Sequence, residues 1–355
     1  MDSLTQIALG GAVAYAVAGP QVGRKAILWG VALGTLPDLD VLLPYGGEVE
    51  AFTYHRGFSH SLLMHILITP IIAWLALKLH PQTSEHKIRW VLLVFLCLST
   101  HAILDSFTVY GTQLMWPLTE YPFGVSNLFI IDPLYTLPLL VGFIWASLPL
   151  KNKPLAFKAN ALGLVISSLY ICWSLGAKVY IDNKVEQALS KRAIVPKAYM
   201  STPAPLNTLL WRIVVMSEGE YHEIYASVFD QVDEVSFNTY STHPELLDDI
   251  SQEWGVQRLQ WFTKGLYSVR AYGNKVVLSD LRMGVECNYV FNFVVGEFLL
   301  ENEPKNVKIA SFERFTQRPD FRGISDIFER ISDPSVTLAP AKNDIKCSQI
   351  PSPNQ

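Results

Sequence analysis

At 355 residues, 50% hydrophobic and 17% charged, with a mean hydropathy of +0.23, the chain is too apolar for an ordinary soluble enzyme and too long to be a membrane bundle alone. A net charge of -4 without long Lys or Arg runs supplies no basic field, which excludes nucleic-acid binding. The apolar excess is confined to about the first 182 residues, so two domains are expected: a transmembrane domain over 1–182 and a soluble domain over 183–338.

Six apolar windows of about 20 residues predict membrane spans. They run from Leu4 to Gly19, Ala26 to Leu43, His60 to Leu79, Ile88 to Tyr110, Leu128 to Leu148 and Ala159 to Ile181. The first is Gly/Ala-rich, suited to tight packing among other helices rather than to facing lipid. Met1-Asp2-Ser3-Leu4-Thr5-Gln6 lacks the positive region of a signal peptide, so the first stretch is expected to be retained. Loops after the odd spans carry Arg24 and Lys25, then Lys78, Lys87 and Arg89, then Lys151, Lys153 and Lys158. Those after the second and fourth spans carry Arg56 beside Glu48, Glu50 and Glu120. The positive-inside rule then predicts a bacterial inner membrane protein whose N-terminus, even loops and C-terminal domain face the periplasm.

Ionisable residues interrupt this apolar sequence in three places. A charged or imidazole group inside a membrane costs about 2.5–3.5 kcal/mol, so a compensating partner is expected, and a metal ion is the simplest. Asp38 and Asp40 end the second span within Leu36-Pro37-Asp38-Leu39-Asp40. Two residues apart, they can share a ligand only at a helix end or in irregular backbone, and Gly34, Pro37 and Pro44 favour such irregularity. Solvated carboxylates in an interfacial turn are the alternative. His55 and His60 flank Arg56-Gly57-Phe58-Ser59; both imidazoles suit zinc, and Arg56 suits a phosphate or carboxylate of a substrate. Ser59 or Ser61 could support a ligand by hydrogen bonding, and no triad accompanies them. His101 and Asp105 stand four apart on one helical face. They could ligate directly, bond each other, or act as a ligand and its orienting carboxylate. His65 and Asp132 are weaker candidates, and His80, His86, His222 and His243 are expected at the surface. All the unusual residues fall in the outer leaflet, where one pocket can collect them.

Beyond about Asn183 the pattern becomes that of an α+β domain with an antiparallel sheet. Strands are predicted over Leu209 to Met216, Tyr221 to Phe229, Tyr267 to Tyr272, Lys275 to Leu278 and Tyr289 to Val295, with tight turns at Ser217 to Glu220 and Gly273-Asn274. Short helices are predicted over His243 to Trp254 and Ile324 to Ile331. Trp211, Tyr221, Tyr225, Trp254, Trp261 and Tyr267 read as sheet core, and Asp280 with Arg282 as an ion pair. The tail 339–355, rich in Pro, Ser, Asn and Lys, is expected to be disordered. Cys97, Cys172, Cys287 and Cys347 make no zinc spacing; Cys287 and Cys347 could form a disulfide in an oxidising compartment.

Together, Asp2 to Gln6, Leu36 to Asp40, His55 to Ser61, and His101-Ala102-Ile103-Leu104-Asp105 followed by Thr108 and Gly111 resemble the YdjM-type membrane-bound metal-dependent hydrolases, over about the first 180 residues. That family looks distantly related to zinc phospholipase C and the S1/P1 nucleases, which implies a phosphoester substrate. Many relatives carry His where this chain has Gln6, which leaves the number of metals open.

The leading expectation is a membrane-embedded hydrolase with a divalent metal, zinc by donor type, held by a subset of Asp38, Asp40, His55, His60, His101 and Asp105. Asp38, Arg56 and Asp105 are the expected catalytic residues, and a lipid or lipid-linked ester in the bilayer the expected substrate. A transporter is a second reading, weakened because the inner halves of the spans lack ionisable residues. A non-catalytic membrane protein with a structural metal and a partner-binding outer domain is a third.

Overall fold

The structure is a computed structural model and describes residues 1–148, 153–299, 306–316 and 323–338. Two compact units divide the chain: Met1–Leu43, Tyr54–Gly176 and Pro205–Asn207 in one, and Pro44–Thr53, Ala177–Ala204 and Thr208–Gln355 in the other.

The first unit is helical. Asp2 caps α1 (Ser3–Val22) by accepting from the Thr5 N–H at 3.1 Å, and Gly23, at φ 71°, breaks the chain before α2 (Arg24–Thr35). These two helices pack backbone to backbone. A Cβ added at Gly10 would stand 2.3 Å from the Gly30 oxygen and 3.0 Å from the Gly34 Cα. A Gly10→Val variant must therefore push α2 away, at about 3 kcal/mol or more, the upper range for overpacking. Its thermal melting in detergent should fall clearly below that of the parent; an unchanged melt would contradict this packing.

A 3₁₀ turn over Pro37–Leu42 follows α2. The α3 helix (Glu48–Tyr54) belongs almost entirely to the second unit. A second 3₁₀ turn, Phe58–His60, leads into α4 (Leu62–Leu79), whose cap is Ser61, accepting from Met64 N at 3.3 Å. Then come α5 (Lys87–Ser106), α6 (Pro133–Ser147) and α7 (Lys153–Lys191). Trp90, Leu93, Val94 and Cys97 of α5 pack against Ala14 and Ala18 of α1 and Ala26 and Leu33 of α2 in a closed apolar core.

Three helical stretches among the described residues are long and apolar enough to cross a membrane: 62–79, 81–106 and 154–191. Among the described residues, six spanning helices are thus not confirmed. With 12 residues, α2 rises about 18 Å against the ~30 Å of a hydrocarbon core, because Pro37 opens a tighter turn. Helix α6 has 15 residues, and α1, although 20 residues long, is rich in Gly and Ala and mostly buried.

The second unit holds antiparallel sheets. Strands β1 (Ala198–Pro203), β2 (Leu210–Met216), β3 (Glu220–Ser227) and β4 (Ser236–Ser241) form one sheet in that order. One face follows the period of two: Trp211, Ile213 and Val215 of β2 and Ile224 and Ala226 of β3 pack on Ile181, Val185 and Ala188 of α7. On the other face Arg212 pairs with Glu223, which also accepts from the Tyr289 hydroxyl at 2.8 Å. Helix α8 (Trp254–Phe262) precedes β5 (Tyr267–Tyr272) and β6 (Lys275–Asp280). The short pair β7 (Gly284–Val285) and β8 (Asn288–Tyr289) leads to β9 (Phe291–Phe298), β10 (Val307–Ile309) and β11 (Arg314–Thr316), and α9 (Ile324–Arg330) follows. The second sheet has the order β10-β9-β6-β5, with β11 also on β9.

Both expected hairpins are present, closing β2 to β3 and β5 to β6. Arg282 grips Asp280 at 2.7 Å. Several expectations need correction. Trp254 and Trp261 are 48% and 40% exposed rather than core, because they lie on the solvent side of α8. His222, expected at the surface, is 4% exposed and bonds Thr239 Oγ1 at 2.9 Å across the β3–β4 pair. His80 is only partly exposed, stacked on Trp90 and accepting from Trp29 Nε1 at 3.1 Å. Cys287 is disulfide-bonded; its expected partner Cys347 and the tail 339–355 lie outside the described residues.

Candidate metal centre

Four side chains from three distant segments meet in the first unit. Asp38 comes from the turn after α2, His60 from the turn before α4, and His101 and Asp105 from successive turns of α5. One donor atom of each lies within 4.8 Å of all the others. His60 Nε2 is 3.2 Å from His101 Nε2, 3.4 Å from Asp38 Oδ1 and 3.2 Å from Asp105 Oδ2. His101 Nε2 is 3.4 Å from Asp38 Oδ1 and 3.6 Å from Asp105 Oδ2. Donors at zinc distances of about 2.0–2.1 Å in a tetrahedron stand about 3.3–3.4 Å apart, so these separations suit one such ion.

Proton accounting favours a cation as well. His101 Nδ1 lies 2.8 Å from the Gly34 carbonyl, which only accepts, so Nδ1 carries a proton, and in the neutral ring Nε2 presents a lone pair. That lone pair faces two carboxylate oxygens. Asp105 Oδ2 has no hydrogen bond of good geometry, although Arg56 Nε and His60 Nε2 each stand 3.2 Å from it, and Gln6 Oε1 is buried without a hydrogen-bond partner. With both rings neutral, the Nε2 atoms of His60 and His101 and the Asp38 carboxylate face one another, an arrangement that positive charge between them would stabilise. These residues could therefore hold a metal ion.

The other expected residues surround this group. Asp40 accepts from His55 Nδ1 at 2.7 Å, Arg56 N at 2.9 Å and Ser59 Oγ at 2.6 Å, and neither Asp40 nor His55 belongs to the convergent four. Arg56 is 8% exposed and sits at φ 61°, a left-handed conformation that non-glycine residues seldom hold without a reason. Its carbonyl accepts from Gln113 N at 2.9 Å, its Nη1 donates to Thr108 Oγ1 at 3.2 Å, and its Nε stands 3.2 Å from Asp105 Oδ2. Its guanidinium lies 5.3 Å from the centre of the Tyr110 ring. The charge of Arg56 is thus aimed at the edge of the cluster.

Gln6 Nε2 donates to Asp105 Oδ1 at 3.0 Å and to the His101 carbonyl at 3.3 Å; the Met1 amino group also contacts Asp105. Of the two weaker candidates, His65 is buried and donates to the Ser59 carbonyl at 2.9 Å. Asp132 caps α6, accepting from Leu134 N at 3.0 Å, and accepts from Tyr170 at 2.9 Å. Neither joins the four. The Gly34 carbonyl and Tyr110 were not anticipated. A backbone acceptor leaves no mark on residue type, whereas Tyr110 stands two residues beyond Thr108 in a stretch already singled out.

The profile of the YdjM inner membrane proteins matches residues 1–181, just over half of the chain. The chain belongs to the YdjM inner membrane protein family. As a YdjM-family membrane protein it is also similar to the uncharacterized protein YfhP of Bacillus subtilis (strain 168), with 27% identity over 180 residues. That similarity covers 48% of this chain and 51% of YfhP, so it spans about half the length of the curated relative. No solved structure matches this YdjM-family chain. The matched region contains all four convergent residues.

Proposed function

We propose that this chain is an integral membrane metal-dependent hydrolase acting on a phosphoester or other ester of a lipid or lipid-linked substrate. The observation that carries the reading is the acceptor-lined group Asp38, His60, His101 and Asp105, with separations of 3.2–3.6 Å about the two histidines. Two imidazoles and two carboxylates suit zinc. When bound, a divalent cation supplies a Lewis acid and lowers the pKa of water at the site.

The chain's own groups divide the remaining work. The Asp38 side chain is 29% exposed whereas those of His60, His101 and Asp105 are at most 1% exposed, so Asp38 marks the open side. Asp38 Oδ1 faces the histidines, which leaves Oδ2 to take the proton of the attacking water. Asp105, buried and anchored by Gln6, lies on the inner side of the cluster. Arg56 neutralises charge developing on the substrate. Leu39, Val41 and Leu42 of the turn bearing Asp38, and Phe58 of the turn bearing His60, are 40–76% exposed, which suits a substrate with acyl chains.

The centre lies at the end where α4 begins and α5 finishes. The opposite connection carries Lys78, Lys87 and Arg89, which supports an outward, periplasmic site under the positive-inside rule. Disulfide-bonded Cys287 supports the same compartment for the second unit. A structural metal is the second reading, favoured by one observation: four side-chain donors can complete a tetrahedron.

Metal analysis of the full chain purified in detergent, combined with hydrolysis of a panel of lipid phosphoesters and carboxylic esters, tests both. Near-stoichiometric zinc and chelator-sensitive turnover are expected. Bound zinc without turnover of any ester would favour the structural reading, and absence of metal would end both.

A further inference from the structure

We propose that Asp40 and Ser59 form a relay that keeps a proton on His60 Nδ1 and so presents an unprotonated Nε2 to the metal. The inference rests on the metal-centre reading and assigns Asp40 as a positioning residue that acts through His60.

The relay follows from counting protons. Asp40 has a buried carboxylate, and three donors converge on it: His55 Nδ1 at 2.7 Å, Arg56 N at 2.9 Å and Ser59 Oγ at 2.6 Å. A carboxylate gathering backbone and side-chain donors is ionised and has no proton to give. The Ser59 hydroxyl has one proton, and at 2.6 Å it goes to Asp40 Oδ2. Ser59 Oγ is also 2.9 Å from His60 Nδ1, and with its proton committed it can only accept there. Nδ1 thus carries a proton, so in the neutral ring that a metal requires the lone pair is on Nε2, facing Asp38, His101 and Asp105.

His60 and His101 reach the same state by different means. His101 donates from Nδ1 directly to the Gly34 carbonyl at 2.8 Å, a backbone group that mutation cannot remove. His60 depends on a serine and an aspartate, both from the segments that also supply the cluster. The direct separation from His60 Nδ1 to Asp40 Oδ2 is 3.8 Å, too long for a hydrogen bond, so Ser59 is the required link. His65 donates to the Ser59 carbonyl at 2.9 Å and the Arg56 N–H is held by Asp40, which fix the backbone on both sides of Ser59. Such partners orient a ligating ring and raise its basicity, and their removal weakens metal binding about 10–100-fold.

Cobalt(II) titration of the full chain in detergent, followed by the visible ligand-field band, provides the test. The parent should bind cobalt(II). Ser59→Ala and Asp40→Asn should bind 10–100-fold more weakly, with an altered band, while Ser59→Thr, which keeps the hydroxyl, should restore affinity and band together. Thermal melts run in parallel identify any variant that misfolds, and Ser59→Ala, the smaller change, then decides. Parent-like affinity and band in Ser59→Ala would overturn the relay while leaving the metal centre standing. Weakened binding with a parent-like band that Thr does not restore would assign the effect to packing and overturn it too. Failure of the parent to bind cobalt(II) or zinc would overturn the metal centre itself and the relay with it.

Discussion

A His60→Ala variant is expected to lose both its metal and its hydrolytic activity while α4 still forms. His60 is fully buried, and its Nε2 is within 3.4 Å of all three other members of the group. Zinc held by four protein donors is worth about 10–16 kcal/mol, so one donor's share is about 2.5–4 kcal/mol, or about 70- to 900-fold in affinity. At ordinary trace concentrations of zinc such a site empties. His60→Gln, closer in volume, should lose metal with less effect on thermal stability, and that separates ligation from packing. Metal content per chain after purification, with a melt of each variant, checks the prediction. Stoichiometric zinc in His60→Ala would remove His60 from the ligand set.

The second large effect is expected at Arg56, in the opposite combination. Arg56→Ala should keep near-parental metal content and lose about 10²–10³-fold in kcat, the usual consequence of deleting a group that stabilises transition-state charge. The guanidinium is already oriented by Thr108 and Tyr110 and needs no rearrangement to meet an anion. Arg56→Lys should recover little, because a point charge does not reproduce the planar fork. Steady-state hydrolysis by the zinc-loaded full chain gives the comparison. If purified Arg56→Ala lacks metal yet turns over at the parental rate once reloaded with zinc, Arg56 serves to hold Asp105, which lies 3.2 Å from its Nε, and not the substrate.

The four side chains that converge were legible as anomalies from residue type alone. Asp38, His60, His101 and Asp105 stand out because a membrane-like sequence has few reasons to hold ionisable groups, and the four-residue spacing of His101 and Asp105 already places them on one face. Asp40 and His55 stand out for the same reason, yet the fold pairs them with each other at 2.7 Å, outside the four. Nothing in composition separates Asp38 from Asp40: the 3₁₀ turn over Pro37–Leu42 directs one toward the histidines and the other toward Ser59. Three of the six hydropathy windows are not confirmed as spanning helices among the described residues. Apolar windows count residues, whereas the proline that ends α2 and the glycines that bury α1 act through backbone geometry.

In the second unit, hairpins with Gly turns and alternating apolar residues were readable. The strands β1, β4, β10 and β11 were not, because short or polar edge strands carry weak periodicity and are held by their neighbours. His222 was misplaced for a related reason: its burial is imposed by pairing with Thr239 on β4, a strand that had gone unrecognised.

The sequence by itself determined that the first half is helical and apolar, that a family motif runs through it, and which side chains are anomalous there. Only the tertiary structure decided which of those side chains face one another. Asp38, His60 and His101 are far apart in the chain, and no local periodicity reports a distance between them. Their meeting depends on α1 and α2 approaching as closely as Gly10, Gly30 and Gly34 allow, and on α5 packing against both. Holding a metal ion would require donors placed to within a few tenths of an ångström, and packing between distant helices sets the positions of these four side chains.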